Sequence, residues 1–221
     1  MAACQRFGPA PYNPRIDPSN FVSRVTNPYF PLPPGTTFVY EGQTADGFEH
    51  DEFAVTHRTR TILGVECVEV HDTVRTDGQL TEDTLDWFAQ DKAGNVWYFG
   101  ENTHELEDGL ITTIEGSFVA GVDRAKPGII MRAHPFVGDF YRQEFALANA
   151  EDYAETVGLN ATVKLANGRT YTNCLKSKET TPLEPDLREF KFYATGVGNV
   201  LEVDAVTGDR LELVRIKSNS E

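Results

Sequence analysis

The sequence predicts a mainly β protein: a single curved antiparallel sheet or half-barrel with a Pro-rich N-terminal arm, a long central loop and at most one short helix. Three observations carry this. Short runs rich in Val, Thr, Phe and Tyr recur along the chain, turn dipeptides punctuate them, and no long segment shows a helical period. Most of the twelve prolines fall within residues 1–35. Proline fixes φ and removes a backbone donor, so this stretch reads as an extended arm. Its aromatics Phe7, Tyr12, Phe21, Tyr29 and Phe30 favour packing of the arm on the body over exposure.

From Pro34-Gly35 onward, strand-like runs follow in order: 37–40, 52–57, 66–74, 82–90, 96–101 and 110–119. Asp77-Gly78 is the strongest hairpin signal, because both central residues of a type I′ turn need positive φ. Further turns are expected at Asp91–Gly94 and at Asp108-Gly109. The Gly/Pro-punctuated stretch 121–139 reads as a loop crossing the sheet, and 148–157 is the one helix candidate. A second β set covers 160–165, 170–178, 189–194, 198–203 and 210–216, with a turn at Asn167-Gly168. The expected organisation is an arm, 1–35, packed on one antiparallel β domain, 36–221.

Composition narrows function by exclusion. A chain of 221 residues with 20 Lys+Arg against 34 Asp+Glu has a net charge of −14. With no basic patch it is repelled by a phosphate backbone, so nucleic acid is not an expected partner. No apolar run approaches the roughly 20 residues of a transmembrane helix. Cys67 and Cys174 sit in separate strand-like runs and read as buried core thiols. Met1-Ala2-Ala3-Cys4 looks like the end of a lipobox, which makes Cys4 a candidate lipid anchor and favours an extracytoplasmic setting, periplasmic, cell-surface or secreted, over a cytoplasmic one. The chain contains no GxSxG, Walker loop, HExxH or EF-hand loop, which removes the common hydrolase, nucleotidase and calcium-sensor patterns.

Register arguments point to a site. A two-residue turn at Asp77-Gly78 pairs Thr76 with Gln79 and, without interruption, His71 with Thr84 and Glu69 with Asp86. A four-residue loop at 91–94 then sets Trp97 opposite Phe88, Phe99 opposite Asp86 and Glu101 opposite Thr84. One face would hold Glu69, His71, Glu82, Thr84, Asp86, Glu101, Phe88, Trp97 and Phe99: four carboxylates, an imidazole and three large aromatics without a Lys or Arg. Directly opposed carboxylates repel unless a proton or cation lies between them. The face therefore reads as a concave ligand or acid/base site, with Glu69, His71, Asp86 and Glu101 as candidate ligands of a divalent metal. The alternative is an acidic protein displaying charge on an ordinary outer face. Secondary candidates are Arg142 and Glu144, which share a face if their strand is unbroken, and Lys191 with Tyr193.

The C-terminal Phe192-Tyr-Ala-Thr-Gly-Val-Gly-Asn-Val200 and the opening Pro33-Pro-Gly-Thr-Thr-Phe-Val-Tyr40 resemble the last hairpin and first strand of uncharacterised bacterial secreted and lipoprotein β-domains. Those domains are similar to the lipoprotein-carrier fold. The resemblance implies a curved antiparallel half-barrel and an extracytoplasmic setting, and it brings no catalytic residues. Acids on the proposed face depart from a carrier of purely apolar lipids. The first reading is a binding domain for a small or amphipathic ligand. The alternatives are a metal-assisted or acid/base hydrolase, lyase or isomerase using the same cluster, and a cell-envelope structural or interaction module.

Overall fold

A computed structural model describes residues 12–218. Cys4 and Phe7 lie outside the described residues. After a single 3₁₀ turn at Pro18–Asn20 come three short strands, β1 (Phe21–Val22), β2 (Val25–Asn27) and β3 (Phe30–Leu32). The long meander is β4 (Thr36–Gln43), β5 (Phe48–Ile62), β6 (Val65–Thr76), β7 (Gln79–Asp91) and β8 (Val96–Glu107). Short strands then close one side: β9 (Leu110–Thr113), β10 (Phe118–Val119), β11 (Lys126–Met131), β12 (Phe140–Arg142) and β13 (Glu144–Phe145). The last five are β14 (Tyr153–Lys164), β15 (Thr170–Thr180), β16 (Glu189–Ala194), β17 (Gly198–Asp204) and β18 (Arg210–Ser218).

Hydrogen bonding joins them in the order β12-β14-β15-β16-β17-β18-β4-β5-β6-β7-β8-β11-β13. The expected half-barrel is therefore present, and it is nearly closed. Its two ends, β12 and β13, are consecutive pieces of chain separated only by Gln143, so residues 140–145 bridge the two edges of the sheet. Closure of this kind removes most of the unpaired edge that an open sheet exposes. Gly128 on β11 makes the approach at the seam achievable, because a Cβ there would lie 2.1 Å from the carbonyl oxygen of Gln143.

Turn chemistry sets the hairpins. Asp77 and Gly78 have φ of 50° and 82°, and Asp108-Gly109 repeats the pattern at 52° and 77°. Both are the positive-φ pairs that type I′ turns require. Leu63-Gly64 does the same at 51° and 80°, with a leucine where the sequence signal is weak.

Two expectations about elements fail. The 148–157 segment is not helical: Ala146 and Ala150 form an isolated bridge, and β14 starts at Tyr153. Ala154 and Thr156 are fully buried while Tyr153, Glu155 and Val157 are not, which is the two-residue period of a strand. The 121–139 segment is not all loop, since Lys126–Met131 is a strand pairing with β8 and β13. Burial of Ile129 and Met131 outweighs the Pro and Gly that suggested a connection.

Both faces of the β6-β7-β8 region are covered. The inner face belongs to the main core, with Val68, Val70, Phe88 and Tyr98. The outer face carries a second cluster of Ile62, Val65, Cys67, Trp87, Ala89, Phe99 and Ala120. Arm residues cap the second cluster: Phe21 packs edge-on against Phe99 at 5.5 Å and Trp97 at 6.2 Å, and β1 pairs with β7. Hairpin β2–β3 sits at the inside of the barrel, where Phe30 meets Phe88 at 5.3 Å. Cys67 and Cys174 are buried free thiols on β6 and β15, strands that are not neighbours.

Candidate functional site

Two β-bulges decide which side chains share a face. Thr76 pairs with Gln79 as the turn requires, but Arg75 pairs with Leu80 and Val74 with Glu82. Thr81 is the extra residue, and its hydroxyl donates to the Val74 carbonyl at 3.2 Å. A one-residue slip changes every pairing beyond it. Val70 therefore opposes Asp86, Asp72 opposes Thr84, and Glu69 opposes Trp87. The second bulge lies between Trp87, which opposes Gly100, and Phe88, which opposes Tyr98. Phe99 is the extra residue there.

The expected cluster is thus divided by the sheet. Glu82, Thr84, Asp86, Phe88 and Glu101 lie on the inner face, and Asp86 is directly opposite Glu101. Glu69, His71, Trp97 and Phe99 are on the outer face. Glu69 accepts from Arg58 Nε at 2.6 Å and from the Trp87 indole at 3.3 Å. His71 Nε2 lies 2.7 Å from Asp83 Oδ1, both side chains about two-fifths exposed. Trp97 and Phe99 pack under the arm. Glu69 and His71 therefore do not join Asp86 and Glu101 as one metal-ligand set, and no group of three or more His, Cys, Asp or Glu has metal-holding geometry among the described residues.

Arg142 and Glu144 part company for a related reason. Their strand is broken at Gln143, so Glu144 faces the interior while Arg142 stacks on Tyr153 at 4.2 Å and on Phe145 at 4.6 Å. Lys191 and Tyr193 do share a face, and both point inward.

The inner face encloses a cavity of about 300 Å³. Its aromatic lining is Phe30, Phe38, Tyr40, Phe53, Phe88, Tyr98 and Tyr193, and its carboxyl lining is Asp51, Asp72, Asp86, Glu101, Glu144, Asp152, Glu179 and Glu202. Lys191 is the one cationic side chain in the lining. The aromatics form a connected patch: Phe88 stacks on Tyr98 at 4.8 Å, and Phe53 contacts Phe88, Phe30 and Phe38 at 6.3–6.4 Å.

The carboxyls fall on two walls. On the first, strand alternation and register set Asp51, Asp72, Asp86 and Glu101 in a diagonal band across β5, β6, β7 and β8. On the second, Lys191 of β16 faces Glu202 of β17, with its ammonium 3.5 Å from Glu202, 3.4 Å from Glu189 and 3.6 Å from Glu179. Tyr193 donates to Glu179 at 3.3 Å, as does Ser177 at 3.1 Å.

Burial disfavours charge on these acids. It pushes Asp51 up to about 7 and Glu101, opposite Asp86, up to about 8. Asp72 and Asp86 are held well above the usual carboxylate range by burial and then by the neighbouring acid, Asp51 for Asp72 and Asp72 for Asp86. Glu144 is raised in the same way by burial and Glu101. Lys191 shows the opposite balance: burial works against its charge, yet Glu189, Glu202 and Glu179 together keep it protonated well above the ordinary lysine value. Burial thus works against ionisation all along the first wall.

Hydrogen bonds tie the acids of the first wall to their neighbours and to one another. Tyr98 Oη donates to Asp86 Oδ1 at 2.5 Å, and Thr103 donates to Glu101 at 2.8 Å. Asp51 and Asp72 share a side-chain hydrogen bond, which lowers Asp51 and raises Asp72.

Glu82, Thr84, Asp86, Phe88, Glu101, Glu144, Lys191 and Tyr193 of this inner face are candidates from the sequence alone, whereas Asp51, Asp72, Tyr98, Glu179 and Glu202 emerge only from the structure. One signal was available. Gly100 inside a strand marks a bulge or a close backbone approach, and a Cβ there would meet the Phe118 carbonyl oxygen at 2.4 Å.

No family model and no curated protein matches the chain. Two solved structures are similar in fold. A candidate exported protein with a YmcC-like fold from Bacteroides fragilis is 16% identical, covering 87% of this chain and 100% of its own, with a TM-score of 0.48. A candidate lipoprotein from Parabacteroides distasonis is 14% identical, covering 86% of this chain and 98% of its own, with a TM-score of 0.46.

Proposed function

We propose that the chain is an extracytoplasmic binding domain that holds a small amphipathic ligand inside the half-barrel. The observation that carries this reading is the cavity itself: about 300 Å³, with a continuous aromatic patch on one part of its wall and carboxyls on the rest. Cavities of this size in β-barrels are common ligand sites, and a mixed lining suits a molecule with one apolar and one polar end. Half-buried Phe30, Phe53, Asp72, Lys191 and Glu202 keep part of their surface in solvent, so the lining is within reach of a small solute. The extracytoplasmic setting rests on the Ala2-Ala3-Cys4 pattern, with Cys4 proposed as a lipid anchor. Among the described residues, no helix is long and apolar enough to cross a membrane.

The test is a thermal-shift panel of small amphipathic molecules and divalent metals against the wild type and Val197→Trp, which puts a large side chain at the cavity wall. A ligand that binds only the folded state raises the midpoint by mass action. The expected result is a rise with an amphipathic ligand that Val197→Trp removes. A rise that survives Val197→Trp, or no rise with any amphipathic molecule, would overturn the reading.

A further inference from the structure

The β8–β9 hairpin leaves both backbone and apolar side chains uncovered. Strand β9 pairs with β8 alone, so among the described residues its second edge is free. Hydrogen-bonded and non-bonded pairs alternate along an antiparallel ladder. Glu107 and Leu110 flank the two-residue turn at Asp108-Gly109 as its bonded pair, so the next residue, Ile111, aims its N–H and C=O away from β8. The side chains are equally unprotected: Leu110 is 71% exposed, Ile111 57% and Ile114 62%. Leu147, 79% exposed, belongs to the neighbouring turn, where Asn149 donates to the Ser117 carbonyl at 2.8 Å.

An apolar free edge is a template for another strand, and the charge around this one selects which strand fits. Glu105, Glu107, Asp108 and Glu115 are all exposed, Glu82 of β7 is directly opposite Glu105, and the sequence from 93 to 123 holds no Lys or Arg. A second copy of the chain would set these carboxylates against their own kind, and like charges across a strand pair are destabilising. A lipid surface suits the edge no better. Anionic headgroups repel the acids, and hydrocarbon offers no hydrogen-bond partner to a free N–H or C=O. An extended peptide with apolar and cationic side chains meets every requirement: its backbone completes the edge, its apolar residues cover Leu110 and Ile111, and its cations face the acids.

We propose that the free edge of β9 is a docking site for a partner protein, which adds an extended segment of alternating apolar and Lys or Arg residues as the next strand. Leu110, Ile111 and Ile114 are not part of the cavity lining, so this docking goes beyond the ligand-binding reading and does not depend on it.

The test is fluorescence anisotropy of the fluorescein-labelled peptide KVKIKVK, and of its charge-reversed counterpart EVEIEVE, titrated with the full chain. The expected result is saturable binding of KVKIKVK at least tenfold tighter than EVEIEVE. That affinity should fall at least fivefold in Leu110→Ser/Ile111→Ser, which removes the apolar cover, and in Ile111→Pro, which removes the outward N–H at an edge where proline is tolerated. Melting midpoints verify that the variants are folded, and if Ile111→Pro does not fold, the serine variant alone decides. Absence of binding, or equal affinity for the two peptides, overturns the proposal. Affinity unchanged in either folded variant shows only diffuse attraction of a cationic peptide to an acidic protein and overturns it too. Vesicles of phosphatidylcholine with phosphatidylglycerol, and sedimentation of the chain by itself, check the other occupants. Vesicle binding or self-association that the serine variant abolishes would assign the edge to a membrane or to a second copy, and would overturn the partner-strand assignment.

Discussion

Tyr98 links the two chemistries of the cavity: its hydroxyl donates to Asp86 Oδ1 at 2.5 Å while its ring stacks on Phe88 at 4.8 Å. The acid band and the aromatic patch are therefore one structure. Tyr98→Phe keeps the stack and removes the donor. Leaving a buried acceptor unsatisfied costs about 1–3 kcal/mol, and in a domain of this size each kcal/mol is about 2–4 °C of melting midpoint. A fall of that order by thermal denaturation is expected, and an unchanged midpoint would show that the bond contributes nothing.

Stability should decline from mildly acidic to mildly alkaline pH. Asp51, Glu101 and Glu189 have folded-state values of about 7, 8 and 7, raised first by burial, against ordinary carboxylate values near 4 in the unfolded chain. The folded state therefore holds more protons across this window. A raised value contributes stability that is complete below the unfolded value and lost as pH climbs through the folded one. Each such group removes at most about 1.4 kcal/mol per pH unit. Urea denaturation at pH 5 and pH 8 should give a clearly lower free energy at pH 8, and Glu101→Gln should flatten the slope. A free energy that rises over that interval contradicts the buried-acid assignment.

Lys191→Met tests the other wall. Removing the ammonium leaves Glu179, Glu189 and Glu202 facing one another without a cation. Breaking a buried pair costs about 3–5 kcal/mol. Because the Lys191 side chain is 25% exposed, the lower end of that range is expected. The loss should be smaller at pH 5, where Glu189, pushed up to about 7 by burial, holds a proton.

The seam is the most sterically demanding point of the fold. Gly128→Ala would set a methyl 2.1 Å from the Gln143 carbonyl oxygen and 2.2 Å from its carbon, so β11 and the 143–144 backbone must separate. We expect a destabilisation of at least about 2 kcal/mol, as for other overpacked sites, together with faster hydrogen exchange of β13 amides. Wild-type stability in this variant would mean that the barrel is not drawn closed there.

Outer-face substitutions give the matching negative. His71→Ala removes an exposed pairing with Asp83, and exposed ion pairs contribute about 0–1 kcal/mol. Ligand affinity should be unchanged and the midpoint shifted by no more than a few degrees. A large loss of binding would return the site to the outer face.

The meander, its hairpin at Asp77-Gly78 and the half-barrel were legible because alternation and positive-φ turns are local signals. The division of residues between faces was not, for a reason visible in β6 and β7. Alternation locates the inside only when one face is polar, and here both faces are covered, the inner one by the cavity lining and the outer one by Ile16 and Phe21 of the arm. Val68, Val70, Leu85 and Trp87 look like one apolar face in the sequence, yet the bulge at Thr81 sends the first two inward and the last two outward. Asp86, Glu101 and Phe88 stayed together because they share the inner face in either register. Glu69 and His71 did not, because they lie on the other side of that bulge.

The acids of the inner wall are buried beside a cavity of about 300 Å³. Carboxyl carbon chemical shifts followed by NMR from pH 3 to pH 9 test it most directly. Asp51 and Glu101 are expected to titrate near 7 and 8, and Asp72 and Asp86 well above the range of solvated carboxylates. Titration of all four between about 3.5 and 5, the range of solvated carboxylates, would contradict it.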